Sequence, residues 1–144
     1  MTKVLLDINV VLDVFLAREP WLRDSALVFQ AIIAGKLSAY LSATSVPTIY
    51  YIVCRTSDRP KAFQVVRQCL ILFEIMPVNQ QVLEIALSLS GSDFEDNIQT
   101  ATAILAGVDA IITRDPKGFA GSPIQAVSPS EFLARLQTTP DATS

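Results

Sequence analysis

Three aspartates, Asp7, Asp96 and Asp115, each stand at an abrupt change of pattern, where carboxylates could share a charged ligand. Val4-Leu5-Leu6 is an apolar run too short for a helix, and Asp7 ends it, with Asn9 two residues on. Ala110-Ile-Ile-Thr113 is a second such run, followed directly by Arg114-Asp115. Asp96 lies in the opening turns of a helical pattern, on a polar stripe with Asp93 and Thr100 at i, i+3 and i+7. Clustered carboxylates repel and raise one another's pKa unless a cation relieves them. Mg²⁺ or Mn²⁺ accepts hard oxygen ligands and keeps several waters. Such an ion activates water and stabilises the charge of an in-line phosphodiester displacement. Asp7, Asp96 and Asp115 are therefore candidate catalytic and metal-binding residues.

Other chemistries are poorly served. The chain has no histidine, which removes Ser-His-Asp and Cys-His nucleophilic catalysis and His-rich zinc sites. Cys54 and Cys69 lie in apolar helical patterns at no metal or redox spacing, and are expected as packed thiols. The net charge of −3 gives no global signature for nucleic acid. Locally, Arg55, Arg59, Lys61 and Arg67 stand against the single acid Asp58, a solvated helix face or a patch for the RNA backbone. Arg114 and Lys117, beside the acidic site, could add to that patch. Hydrophobic residues make up 51% of the chain, and mean hydropathy is +0.42. No run approaches the roughly 18 apolar residues of a membrane span, and Asp7 interrupts any signal-like stretch. The expectation is a cytoplasmic protein with no membrane association, whose surplus apolar surface is covered by another protein.

The elements that position the aspartates follow from the pattern. A first strand ends at Asp7, and a helix continues from Asn9 to Phe15. Pro20 opens a second helix, with Ala26, Val28, Phe29, Ile32 and Ile33 as its buried stripe and Gly35 as its stop. Leu37 to Leu41 is a strand. Hydroxyls at Ser42, Thr44 and Ser45 can cap a helix running to about Val53. Further expectations are a helix from Pro60 to Leu72, a strand from Phe73 to Val78 and a helix from Val82 to Leu89. Ser92 and Glu95 form a capping box for the helix that carries Asp96, which ends at Gly107 and presents Ile98, Ala101 and Leu105 as its apolar face. Strands at 110–113 and 125–127 and a helix at 130–136, capped by Ser128 or Ser130, complete a single domain over residues 1–136. Residues 137–144 are a disordered polar tail. Strands alternate with helices and are apolar on both faces, which is the pattern of a three-layer α/β/α fold with a mainly parallel central sheet. In such a sheet Asp7 and Asp115 leave at one carboxyl edge.

Leu-Leu-Asp7-Ile-Asn9-Val-Val-Leu-Asp13, Asp93-Phe-Glu-Asp96-Asn-Ile-Gln and Ile-Ile-Thr113-Arg-Asp115 together resemble a PIN domain over about residues 3 to 136. The likeness is to the bacterial single-domain kind, the VapC-type toxins of type II toxin–antitoxin pairs. It implies a Rossmann-like fold, a Mg²⁺- or Mn²⁺-dependent endoribonuclease, a cognate antitoxin and a homodimer. It also implies metal-binding roles for Asp7, Asp96 and Asp115, with Thr113 and Asn9 supporting them. The sequence departs from the family at Thr48, which stands where a glutamate is usual. Threonine can hold a metal-bound water but carries no charge, and Asp93, one turn from Asp96, is the carboxylate able to substitute. The alternative is a PIN-fold module that binds RNA or protein without catalysis. A haloacid-dehalogenase-type phosphotransferase is disfavoured, because Asn9 occupies the place of its second aspartate.

Each acidic residue also has a structural reading. Asp7 can be a helix cap, Asp115 before Pro116 a turn initiator, and Asp93 a macrodipole partner. Glu95 belongs to the capping box, and Asp13 is expected as a solvated helix residue.

Overall fold

β1 (Thr2–Leu6) lies at the centre of the sheet because three of its residues, Val4, Leu5 and Leu6, are wholly buried. It pairs in parallel with β2 (Leu37–Ser42) on one side and β4 (Ala110–Ile112) on the other. β3 (Glu74–Met76) and β5 (Ala126–Val127) complete the order β3-β2-β1-β4-β5, with every pairing parallel. The computed structural model describes residues 1–91 and 93–138.

The alternation of side chains along β1 divides the core into two layers. Val4 and Leu6 pack with Leu41, Ile112, Val28 and Ile49 on one face, and Leu5 packs with Tyr40, Ile111 and Ala103 on the other. The first face is covered by α1 (Ile8–Phe15), α2 (Leu22–Ile33), α3 (Ser45–Thr56), α4 (Arg59–Leu72) and α7 (Pro129–Thr138). The second is covered by α6 (Phe94–Ala106), against which α5 (Gln80–Ser88) packs. Truncating Leu5 or Leu6 to alanine is expected to cost about 2–5 kcal/mol. The three-layer α/β/α architecture expected from the sequence is the one observed.

Several details differ. Ile33 is 69% exposed, because the helix carrying it turns only Ser25, Val28, Phe29 and Ile32 fully inward. Leu105, expected on an apolar face, is 42% exposed, whereas Asn97, Gln99, Thr100 and Thr102 of α6 are buried. Hydrogen bonds explain the inversion: Gln99 Nε2 donates to Ser45 Oγ at 3.0 Å, and Asn97 Nδ2 donates to the Gly91 carbonyl at 3.1 Å. The N-cap of α6 is Asp93, so the capping box assigned to Ser92 is replaced; Ser92 itself lies outside the described residues. Thr44 precedes α3 without a side-chain cap bond, its hydroxyl meeting Ser42 Oγ at 2.9 Å. Ser128 caps α7 by accepting from Glu131 N. That helix continues through Thr138, beyond the expected start of the tail, and residues 139–144 lie outside the described residues. Both cysteines are free thiols, and burial pushes Cys69 up to about 12. Among the described residues no helix is long and apolar enough to cross a membrane.

Candidate metal centre

Sheet order reverses direction at β1, and in open α/β sheets ligands bind beyond the carboxyl ends of the strands at such a switch point, here β1 and β4. Leu6 pairs with Ile112, and Asp7 N donates to the Ile112 carbonyl at 2.9 Å. That register sets Asp7 beside Thr113 just past both strands. Thr113 Oγ1 donates to Asp7 Oδ2 at 2.9 Å and accepts from Asp115 N at 3.1 Å. One hydroxyl, only 1% exposed in its residue, therefore ties one aspartate to the backbone of another. Asp7 Oδ1 accepts from Ile8 N at 2.8 Å and caps α1. Its role as a helix cap thus coincides with its place in the candidate site. Burial raises the Asp7 pKa, aided by the charge of Asp115, against the lowering effect of Thr113, Ile8 and Arg114.

Asp96 enters from α6. Asp93 Oδ1 accepts from Glu95 N at 2.8 Å and Asp96 N at 3.2 Å, which fixes the first turn. Burial, then the charges of Asp93, Asp7, Glu95 and Asp115, push Asp96 up to about 6. Four acids thus act on one half-buried carboxyl. The turn after β4 runs into a short 3₁₀ helix (Pro116–Phe119), whose Gly118 faces two of the acids. A Cβ there would lie 3.3 Å from Asp115 Oδ2 and 3.4 Å from Asp96 Oδ2. Asp96 and Asp115 hence converge over Gly118, which has no side chain to fill the space between them. Gly118 is a site residue that the sequence reading missed; its spacing of three from Asp115 was the available signal.

The remaining candidates sort by position. Asn9 is exposed in the first turn of α1. Thr48 Oγ1 donates its proton to the Thr44 carbonyl at 3.3 Å, so the position holds no carboxylate and offers only the lone pairs of a neutral hydroxyl. Asp93 is occupied as the cap. Lys117 is exposed in the 3₁₀ turn beside Asp115. Arg55, Arg59 and Arg67 are exposed and Lys61 is half-buried, with Arg59 over the Phe63 ring at 5.4 Å. Arg55 lies ten residues along α3 from Ser45, a rise of about 15 Å from the strand ends. Arg114 is not a free cation: its Nε lies 2.7 Å from Asp13 Oδ2, and its guanidinium carbon is 3.8 Å from the Trp21 ring centroid. Asp13, expected to be solvated, is 0% exposed because this pairing takes it inside.

Among the described residues no three His, Cys, Asp or Glu side chains form a ready-made metal-holding group. Instead Thr113 ties the Asp7 carboxylate to the Asp115 backbone, and the Asp96 and Asp115 carboxylates approach each other over Gly118. Such a set fits Mg²⁺ or Mn²⁺, hard cations that keep waters and need only one or two carboxylates, better than zinc, whose sites are built mostly on histidine and cysteine. Burial and then mutual repulsion lift Asp96, and the repulsion is what a cation would relieve.

The fold and this edge define an open, parallel α/β domain with its acidic groups gathered at the switch point. The chain belongs to the PIN-domain family, whose model matches residues 3–117. Ribonuclease VapC1 of Aquifex aeolicus (strain VF5) is 28% identical over 141 residues, spanning 94% of this chain and 96% of that protein. A toxin–antitoxin complex from Klebsiella pneumoniae contains a chain 27% identical with a TM-score of 0.67, covering 88% of this chain and 97% of its own. A chain of FitAB bound to an IR36 DNA fragment has a TM-score of 0.72 over 88% of this chain and 94% of its own; at 21% identity that likeness shows the fold.

Proposed function

We propose that this protein is a divalent-metal-dependent endoribonuclease and the toxin of a toxin–antitoxin pair. The observation that carries the reading is the convergence of Asp96 and Asp115 over Gly118, beside an Asp7 fixed by Thr113. Asp7, Asp96 and Asp115 would hold the ion, with Asp93 and Thr113 orienting them and Asn9 at the rim. A bound Mg²⁺ or Mn²⁺ neutralises the carboxylates and supplies the Lewis acidity that phosphodiester hydrolysis needs. The chain's own residues then do the positioning. Thr113 holds Asp7 and the Asp115 backbone in one register, and Lys117 offers a cation to the phosphate. Water would add to phosphorus, one P–O ester bond would break, and the departing oxygen would take up the proton that the water releases. Arg55, Arg59, Lys61 and Arg67 would bind the RNA backbone further along.

The similarity to ribonuclease VapC1 and to a chain of a toxin–antitoxin complex supports the substrate and the partner. An apolar groove lined by Phe15, Phe29, Ile33, Ile71 and Leu72 supports an antitoxin contact. Exposed Leu87 and Tyr51, at 74% and 63%, support a homodimer. The cytoplasm, where RNA is made and used, is the compartment this activity requires. Purified protein should cleave a broad RNA pool at millimolar Mn²⁺ and stop on chelation; an intact pool at that concentration contradicts the reading.

Thr48 favours a second reading, a PIN-fold module that binds RNA or protein without catalysis. Saturable RNA binding with no cleavage at any Mn²⁺ concentration would select it.

A further inference from the structure

We infer that Arg114 is a positioning residue, whose pairing with Asp13 and seat on Trp21 orient the turn that carries Thr113 and Asp115. The inference rests on the metal-centre reading above. Arg114 stands between those two residues, so whatever fixes its side chain fixes the backbone on both sides. Its Nη2 donates to Asp13 Oδ1 at 3.1 Å while its Nε lies 2.7 Å from Asp13 Oδ2. The guanidinium carbon lies over the Trp21 ring, just ahead of α2. A planar fork that also stacks is a role lysine cannot fill.

The attachment has two points. Asp7, at the start of α1, is held by Thr113, and Asp13, six residues further along the same helix, is held by Arg114. One contact would leave the turn free to pivot about the helix, whereas two set both its distance and its angle. Stability alone is a weak account of the second contact. A buried ion pair can often be replaced by apolar residues without loss of stability, and Asp13 is fully buried while Arg114 is 23% exposed. Groups that orient metal ligands from behind typically matter about 10- to 100-fold in metal affinity.

The double variant Asp13→Leu/Arg114→Met separates positioning from stability, since it removes both charges and keeps apolar volume. Three quantities are read: melting temperature in chelator, Mn²⁺ affinity by calorimetry, and hydrogen exchange of the Asp115 amide, which bonds Thr113. The expected result is near-native melting, Mn²⁺ affinity weakened about 10- to 100-fold, and faster Asp115 exchange with β1 and β4 amides still protected. Native Mn²⁺ affinity in a folded double variant overturns the inference. If that variant does not fold, Arg114→Lys retains the charge and loses the fork and the stack; it should weaken Mn²⁺ several-fold, and unchanged affinity again overturns the inference. A wild-type protein that binds no Mn²⁺ fails the metal-centre reading instead. Asp115 exchange then still decides whether Arg114 orients the turn.

Discussion

Asp7 and Asp13 lie on the same short stretch, are both drawn inside, and have ended in opposite circumstances. Asp7 is held by Thr113 and the Ile8 amide, feels the lowering charge of the more distant Arg114 and the raising charge of Asp115, and joins an edge where Asp96 is pushed up to about 6. Asp13, wholly buried, has Arg114 against it and Arg18 at 4.0 Å. Burial raises both pKa values, most strongly among the causes at each. The difference lies in the partners. At the edge the nearby charges raise Asp96 further, so the site retains an unmet demand for a cation. At Asp13 that demand is met from within the chain. A carboxylate's neighbours, more than its place in a motif, therefore decide whether it can serve a ligand.

Breaking the satisfied region should have the largest effect. Asp13→Ala leaves Arg114 and its pocket uncompensated and should destabilise the protein by about 3–5 kcal/mol, measured by urea unfolding. Asp96→Asn breaks the other side of the comparison: RNA cleavage should fall by more than about 100-fold, the upper range for perturbing a metal's surroundings. In chelator its melting temperature should hold or rise, because a repelled charge is gone. A variant inactive because it is unfolded would contradict the account.

The sequence made part of this contrast legible. Apolar runs that end on Asp7 and Thr113-Arg114-Asp115 mark strand ends, and parallel strands must share a carboxyl edge. The acidic face of α6 followed from the same spacing. The satisfied region was hidden because Arg114 and Asp13 are 101 residues apart, and a charged residue in a short helix defaults to solvent. The buried polar face of α6 was hidden for the same reason, since Gln99 finds Ser45 across 54 residues. Gly118 matters through the side chain it lacks, which no pattern of charges reveals.

Two smaller effects sharpen the comparison. Thr48→Glu adds the carboxylate usual in the family and should tighten Mn²⁺ about tenfold, or 1.4 kcal/mol, while lowering the melting temperature in chelator. An unchanged affinity would mean that position 48 does not reach the ion. The pH dependence of the metal-free protein is subtler. The folded pKa of Asp96, about 6, lies above its unfolded value, roughly 3.9. Its contribution therefore favours folding in acid and is lost as pH rises through about 6. Relative to Asp96→Asn, wild-type stability in chelator should decline from about pH 4 to pH 7, by less than about 1 kcal/mol after solvent screening. Saturating Mn²⁺ should reverse the decline, and parallel curves for the two proteins would remove repulsion at Asp96 from the account.

The carboxyl edge as a cation site is the claim on which the rest depends, and calorimetric titration of Mn²⁺ into the wild type and Asp96→Asn tests it most directly. The account predicts one saturable site in the wild type that is lost or at least tenfold weaker in the variant. Equal binding in both, or none in the wild type, would contradict it.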